Sequence, residues 1–213
     1  MTTLAILKSE LLDYGTKPNL ITVLPRFIRM AEARIARRVR VQEMQKEIVM
    51  NVPTSGAVDL PTGFLGYRSV SFTDNSSSLR VRKLDFMPPD QFDEYHDNVQ
   101  YINDTTRRTF FTFSGNQILF RPEPGDGEEF EVRFRYYERF PALQNDSDTN
   151  FVLTNHYDIY LYAALAELWF YVDDTEEEAK CEARFNQRVE ELAKIEKRKI
   201  RSGPFKRTPD YAV

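Results

Sequence analysis

Glu129-Phe130-Glu131-Val132-Arg133-Phe134-Arg135-Tyr136-Tyr137 is the stretch on which the fold turns. Phe130, Val132, Phe134 and Tyr136 alternate without a break with Glu131, Arg133 and Arg135. Successive side chains of a strand point to opposite faces, so this pattern predicts an antiparallel strand with one face on a core and the other toward water. Upstream, Thr109 to Phe113 and Gln117 to Arg121 flank Ser114-Gly115-Asn116, a hairpin signal. Further back, Lys46 to Val52, the turn Pro53-Thr54-Ser55-Gly56, Val58 to Pro61, Phe64 to Thr73 and Leu79 to Leu84 read as further strands and turns. Asp74 to Ser78 and Pro122 to Gly127 are polar or turn-rich connections, and Pro88-Pro89-Asp90 can start a short helix carrying Phe92 and Tyr95.

Beyond both ends of this region the period changes from two to between three and four. Thr3 can cap a first helix with Leu4, Leu7, Leu11 and Leu12 on one face and Gly15 at its end. After the turn Lys17-Pro18-Asn19, Pro25 fits the first turn of a new helix, with Leu20 to Leu24 as a short turn before it. From there Leu24, Phe27, Ile28, Ala31, Ile35 and Val39 form an apolar stripe that predicts a helix ending near Met44. On the C-terminal side, Leu143 to Asn150 is a polar linker. Asn155 can cap a helix from His156 to Val172, apolar on most sides and therefore buried on most sides. Asp173-Asp174-Thr175 breaks that helix and caps a last one, with Glu176, Glu177 and Glu178 in its first turn. Ala179, Ala183, Val189, Leu192, Ala193 and Ile195, with Phe185 beside them, are its expected buried stripe, and Gly203-Pro204 its expected end.

Strands grouped between two helical ends do not match the alternating order of a nucleotide-binding sheet. The expected class is α+β: residues 1–45 and 145–213 form a helical bundle, with residues 46–144 inserted as an antiparallel β-rich domain and residues 202–213 extending as a C-terminal arm. The chain of 213 residues is long enough to bury roughly 70% of its unfolded surface without a disulfide or metal. A charged fraction of 29% against 41% hydrophobic is that of a folded, soluble protein. The lone Cys181 excludes an intramolecular disulfide and reads as a structural thiol. No apolar run approaches a membrane span, and the N-terminus lacks a signal peptide's basic start and apolar core, so a reducing cytoplasm is the expected site of synthesis.

Little catalytic chemistry is on offer. Neither His96 nor His156 has a serine or cysteine motif near it, and the eight glycines form no phosphate loop. His156 and Asp158, two apart at a helix start, point to different sides and cannot share a metal. The acidic run Asp173 to Glu178 can bind a cation, but a helix N-terminus explains it without one. No catalytic residue, cofactor or metal is therefore expected. Two features remain. Arg26, Arg29, Arg37 and Arg40 lie on the polar side of the second helix and suit contact with a neighbouring subunit or a channel. The alternative is a nucleic-acid-binding protein that uses the arginine-rich helix 25–44 to follow a phosphate backbone; the net charge of −4 and the lack of a zinc or helix-turn-helix pattern count against it. In the tail, Phe205, Lys206, Arg207, Tyr211 and Val213 suit an arm that orders on a partner, the other reading being a frayed terminus.

Two stretches together resemble a known family. One is Phe27-Ile28-Arg29-Met30-Ala31-Glu32-Ala33-Arg34-Ile35 followed by Arg37-Arg38-Val39-Arg40. The other runs from Tyr136-Tyr137 through Phe140-Pro141-Ala142-Leu143 to Tyr157-Asp158-Ile159-Tyr160-Leu161-Tyr162-Ala163-Ala164-Leu165-Ala166-Glu167, with Asp173-Asp174 and a charged helix after it. This order, with the turn Leu60-Pro61-Thr62-Gly63-Phe64-Leu65, is similar to that of the head–tail adaptor, or connector, proteins of tailed bacteriophages, of the short-tailed type. The resemblance implies a structural virion protein at the head–tail junction, made in the host cytoplasm. It implies a homo-oligomeric, usually dodecameric, ring that binds the portal protein and extends its channel. Double-stranded DNA would pass through without sequence recognition, and the ring would offer a platform to tail or nozzle proteins. Members often grip the portal with an extended terminal arm, a role open here to residues 202–213. The family brings no catalytic residues to carry over.

Overall fold

The computed structural model describes residues 2–15, 20–72, 83–94, 109–124 and 130–201. In chain order the elements are α1 (Leu4–Tyr14), α2 (Leu20–Arg38), a 3-10 turn (Gln42–Met44), β1 (Gln45–Val52), β2 (Ala57–Asp59), β3 (Phe64–Phe72), β4 (Asp85–Phe86), α3 (Pro89–Glu94), β5 (Phe110–Ser114), β6 (Gln117–Arg121), β7 (Phe130–Glu138), α4 (Phe151–Asn155), α5 (Tyr157–Val172) and α6 (Thr175–Arg201). The class is α+β. Contacts divide the chain into two compact units, one of residues 1–43 with 140–213 and one of residues 44–139.

In the β unit, the strictly alternating segment becomes β7, the central strand of a three-stranded antiparallel sheet ordered β1-β7-β3. Val132, Phe134 and Tyr136 are buried, and Phe134 stacks on Tyr136 with ring centroids 5.3 Å apart. The second sheet, ordered β2-β6-β5-β4, is antiparallel except for the short β4, which runs parallel to β5. Its β5–β6 hairpin turns on Gly115-Asn116, where Gly115 has φ +57°, a left-handed backbone that costs glycine nothing. Met50, Val52, Val70, Leu84, Phe111, Ile118, Phe120, Val132, Phe134 and Tyr136 make one core. In β3, Ser71 is buried next to the buried Val70, and two register irregularities interrupt the pairing with β7. The strand expected from Leu79 to Leu84 falls largely outside the described residues, as do Tyr95, His96 and part of the Pro122–Gly127 connection; Lys83 makes one isolated bridge to Ser71.

In the helical unit, α5 packs against α1, α2, α4 and α6. Ile159, Tyr160, Ala163, Ala164, Leu165, Ala166 and Leu168 are buried, while Phe170 and Tyr171 at its end are exposed. Four local expectations are corrected. First, α2 does not begin at Pro25 but runs unbroken through it from Leu20. Pro25 lies on the exposed side, where the carbonyl it leaves unpaired can meet water, and Leu20, Leu24, Phe27 and Ile28 bury continuously across it. Second, α2 stops at Arg38 rather than near Met44; Arg40 donates from Nη1 to the carbonyls of Ala36 and Val39 at 2.6 and 2.7 Å, satisfying groups the helix end leaves open. Third, Asn155 caps nothing. It ends the short α4, whose cap is Asn150, with Oδ1 accepting from the Leu153 N–H at 2.9 Å. Thr3 likewise precedes α1 without a side-chain cap bond. Fourth, the buried stripe of α6 is Cys181, Phe185, Val189, Leu192 and Glu196, whereas Ala179, Ala183, Ala193 and Ile195 are exposed. Asp173 breaks α5 from α6 in a left-handed conformation (φ 64°), one of the few non-glycine types that tolerate it, and Asp174 caps α6 by accepting from the Glu177 N–H at 3.1 Å. The end expected at Gly203-Pro204 lies outside the described residues.

Candidate functional site

The arginines of α2 separate by direction. Residues four apart on a helix share a face, and Arg34 and Arg38 both lean toward α6. Arg34 donates from Nη1 to Glu167 Oε1 of α5 at 3.1 Å and from Nη2 to Glu182 of α6. Arg38 donates to Asn186. Both guanidinium groups lie over the buried ring of Phe185, 4.8 and 5.3 Å from its centroid. These two arginines tie α2 to the other long helices; Arg34 has 21% of its side chain exposed and Glu167 only 13%, so the pair is shielded enough to hold a defined geometry.

Arg26, Arg29 and Arg37 occupy an adjacent, exposed side, roughly 60–140° around the helix from Arg34. The Nε of Arg29 donates to the Pro25 carbonyl at 3.3 Å and that of Arg37 to the Ala33 carbonyl at 3.1 Å, contacts within their own helix. Met30 and Ala33 lie between them and are exposed as well. The fourth expected contact residue, Arg40, stands apart: it is half-buried and engaged with the end of α2. The expected arm residues Phe205, Lys206, Arg207, Tyr211 and Val213 lie outside the described residues.

Beside Arg34 a cavity of about 290 Å³ opens between α5 and α6, lined by Arg34, Ala166, Glu167, Phe170, Glu178 and Glu182. Three carboxylates face one guanidinium there, next to a phenylalanine ring that is 67% exposed. Only Glu167 and Glu182 are engaged by Arg34. The rest of the acidic run is accounted for locally: Asp174 caps α6, and Glu176 and Glu177 pair with Lys180 at 2.7 and 2.9 Å, raising that amine's pKa. Among the described residues, no three His, Cys, Asp or Glu side chains are grouped so as to hold a metal. Asp158 pairs with Arg188 at 3.1 Å, and burial lowers the pKa of His156. Cys181 is buried, which pushes its thiol pKa up and keeps it protonated.

Sequence reasoning passed over the groove and two further acids. Glu32 is buried and its Oε1 accepts the Leu143 N–H at 2.8 Å; Glu196 is buried and its Oε2 accepts the Gln42 N–H at 2.9 Å. A signal was present in each case: Glu167 is the lone charge in an apolar run, and Glu32 and Glu196 fall on the apolar stripes of their helices.

Over residues 2–208 the chain matches the family described as SU10 adaptor protein. No curated protein matches it.

Proposed function

The chain belongs to the SU10 adaptor protein family, and on that premise we propose that it assembles as a ring beneath the portal of a tailed phage. In that reading the ring extends the DNA channel and presents a platform on which tail or nozzle proteins dock. The family places the protein as a structural adaptor at the head–tail junction of the virion. The observation that carries the reading is the extent of the match, which takes in almost every residue of both units. Portal protein on one side and tail proteins on the other are its partners, with double-stranded DNA passing through the ring unread.

Arg26, Arg29 and Arg37 serve as contacts with the next subunit or the channel, and Arg40 contributes through the end of α2 that it holds. Exposed ion pairs contribute only about 0–1 kcal/mol each, so they set register and partner choice more than affinity. The isolated protein is then largely monomeric and oligomerises on the portal, which supplies the template and makes each later contact effectively intramolecular. Phe205, Lys206, Arg207, Tyr211 and Val213 form the arm that grips the portal. Electron micrographs of the purified protein mixed with portal complexes test the assignment: added density on one end of the portal is expected, and bare portals overturn it. Light scattering of the protein alone should give a monomer mass; a stable ring at micromolar concentration would refute templated assembly.

A further inference from the structure

The geometry points to a specific mating of two surfaces of this chain: the exposed arginine face of α2 inserts a guanidinium into the α5–α6 groove of a second copy, between Glu178 and the ring of Phe170. The inference rests on the adaptor reading and names the contact that the reading leaves open.

Three observations carry it. The groove already holds one guanidinium, that of Arg34, between Glu167 and Glu182, so its walls are set for this group. It has capacity to spare: Glu178 is half-buried and its carboxylate has no partner among the described residues, and Phe170 presents an exposed ring beside it. A carboxylate next to an aromatic face is a place for a cation. The complementary surface is on the same polypeptide. Arg26, Arg29 and Arg37 lie along one exposed side of α2 over about 16 Å of helix, and none has an acidic partner among the described residues. Ala33, small and central on that face, leaves room for a neighbouring helix to approach.

Within one chain none of the three arginines lines the groove. On the helical wheel Arg26, Arg29 and Arg37 point roughly 80°, 140° and 60° away from the Arg34 direction that faces it. Donor and acceptor are thus different patches, which makes the contact heterologous: each copy gives an arginine to one neighbour and receives one from the other.

Charge reversal tests the pairing, because every copy carries both halves. Glu178→Arg alone should lower the amount of protein retained on portal complexes at least tenfold, since two like charges then meet in the groove. Arg26→Glu, Arg29→Glu and Arg37→Glu are each made in the wild-type and in the Glu178→Arg background. One of the three should fail alone and be restored in the double variant. Circular-dichroism melts of each variant check that the fold is intact, and Arg34 is left untouched because it ties the helices together. Retention of Glu178→Arg at the wild-type level overturns the pairing, as does loss without rescue by any arginine reversal. A drop in binding of a DNA duplex with a steep salt slope on reversing the arginines, without effect on assembly, overturns it in favour of a nucleic-acid face. Failure of the wild-type protein to join portals sinks the adaptor reading instead. The same variants in sedimentation equilibrium at high concentration then decide the pairing alone: the loss-and-rescue pattern in self-association supports it, and its absence overturns it.

Discussion

Two buried carboxylates, Glu32 and Glu196, hold main-chain N–H groups at Leu143 and Gln42. A buried charge is costly unless it is fully bonded. Glu196 is offset by an ion pair of its Oε1 with Lys199 Nζ at 2.7 Å and by the Gln42 N–H that its Oε2 accepts. Glu32 faces Tyr160, whose burial, with Glu32 nearby, pushes its hydroxyl pKa up and keeps it a donor; Asn150 Nδ2 donates to the same hydroxyl oxygen at 2.7 Å. Glu32→Ala should destabilise the protein by about 1–3 kcal/mol, since it strands the Leu143 N–H, and urea unfolding should show a lower midpoint at an unchanged slope. His156 gives a pH signature. Burial lowers its pKa from 6.5, against the opposing pull of Asp158, Glu43 and Glu196 and with the help of Lys199. The unfolded chain therefore takes up the proton first. Stability should be full above pH 6.5 and fall as pH drops through the depressed value, and His156→Gln should flatten that slope in thermal melts at a series of pH values. At this scale the sequence revealed that α2 was crowded with arginine. It could not reveal which guanidinium groups turn toward α6, because that rests on a rotation of the helix that only packing decides.

Among the elements, β7 was legible because its alternation is unbroken and both of its edges are paired, so pattern and environment agree. The α6 stripe was misread for a physical reason. Alanine carries almost no preference for either face, so Ala179, Ala183 and Ala193 set a false phase, while the true one follows Cys181, Phe185, Val189 and Leu192. Phe185→Ala should cost about 3–5 kcal/mol, and it removes the ring under Arg34 and Arg38. Ile195→Ala, at a side chain 49% exposed, should change stability by about 0.5 kcal/mol or less. Calorimetry of the two variants separates the two phases directly. The entry to α5 makes a second contrast: Asn150→Ala should cost about 0.5–2 kcal/mol as a lost cap, whereas Asn155→Ala should be nearly silent in the same melts. The short α4 went unseen because five residues show too little periodicity to separate helix from linker.

For the whole molecule, the α+β class was readable from the order of periods along the chain, and the family from the order of its helices and turns. The groove was not, because it joins α2, α5 and α6 across long sequence separations, and no local pattern announces such a meeting. The proposed arm belongs at this scale too. A chain ending at Arg201 should melt at the wild-type temperature and lose portal retention; unchanged retention removes the arm from the grip, and a much lower melting temperature makes residues 202–213 part of the fold.

The first and last strands of the β unit meet at their outer ends, where Gln45 pairs with Tyr137. Antiparallel partners of this kind have Cα atoms only about 5 Å apart. Entry and exit of the whole inserted segment therefore amount to a single tight anchorage, and a brief glycine-containing link could close the helical part in its place. The packing of α1, α2, α4 and α6 around α5 does not depend on the length of chain inserted between those two ends.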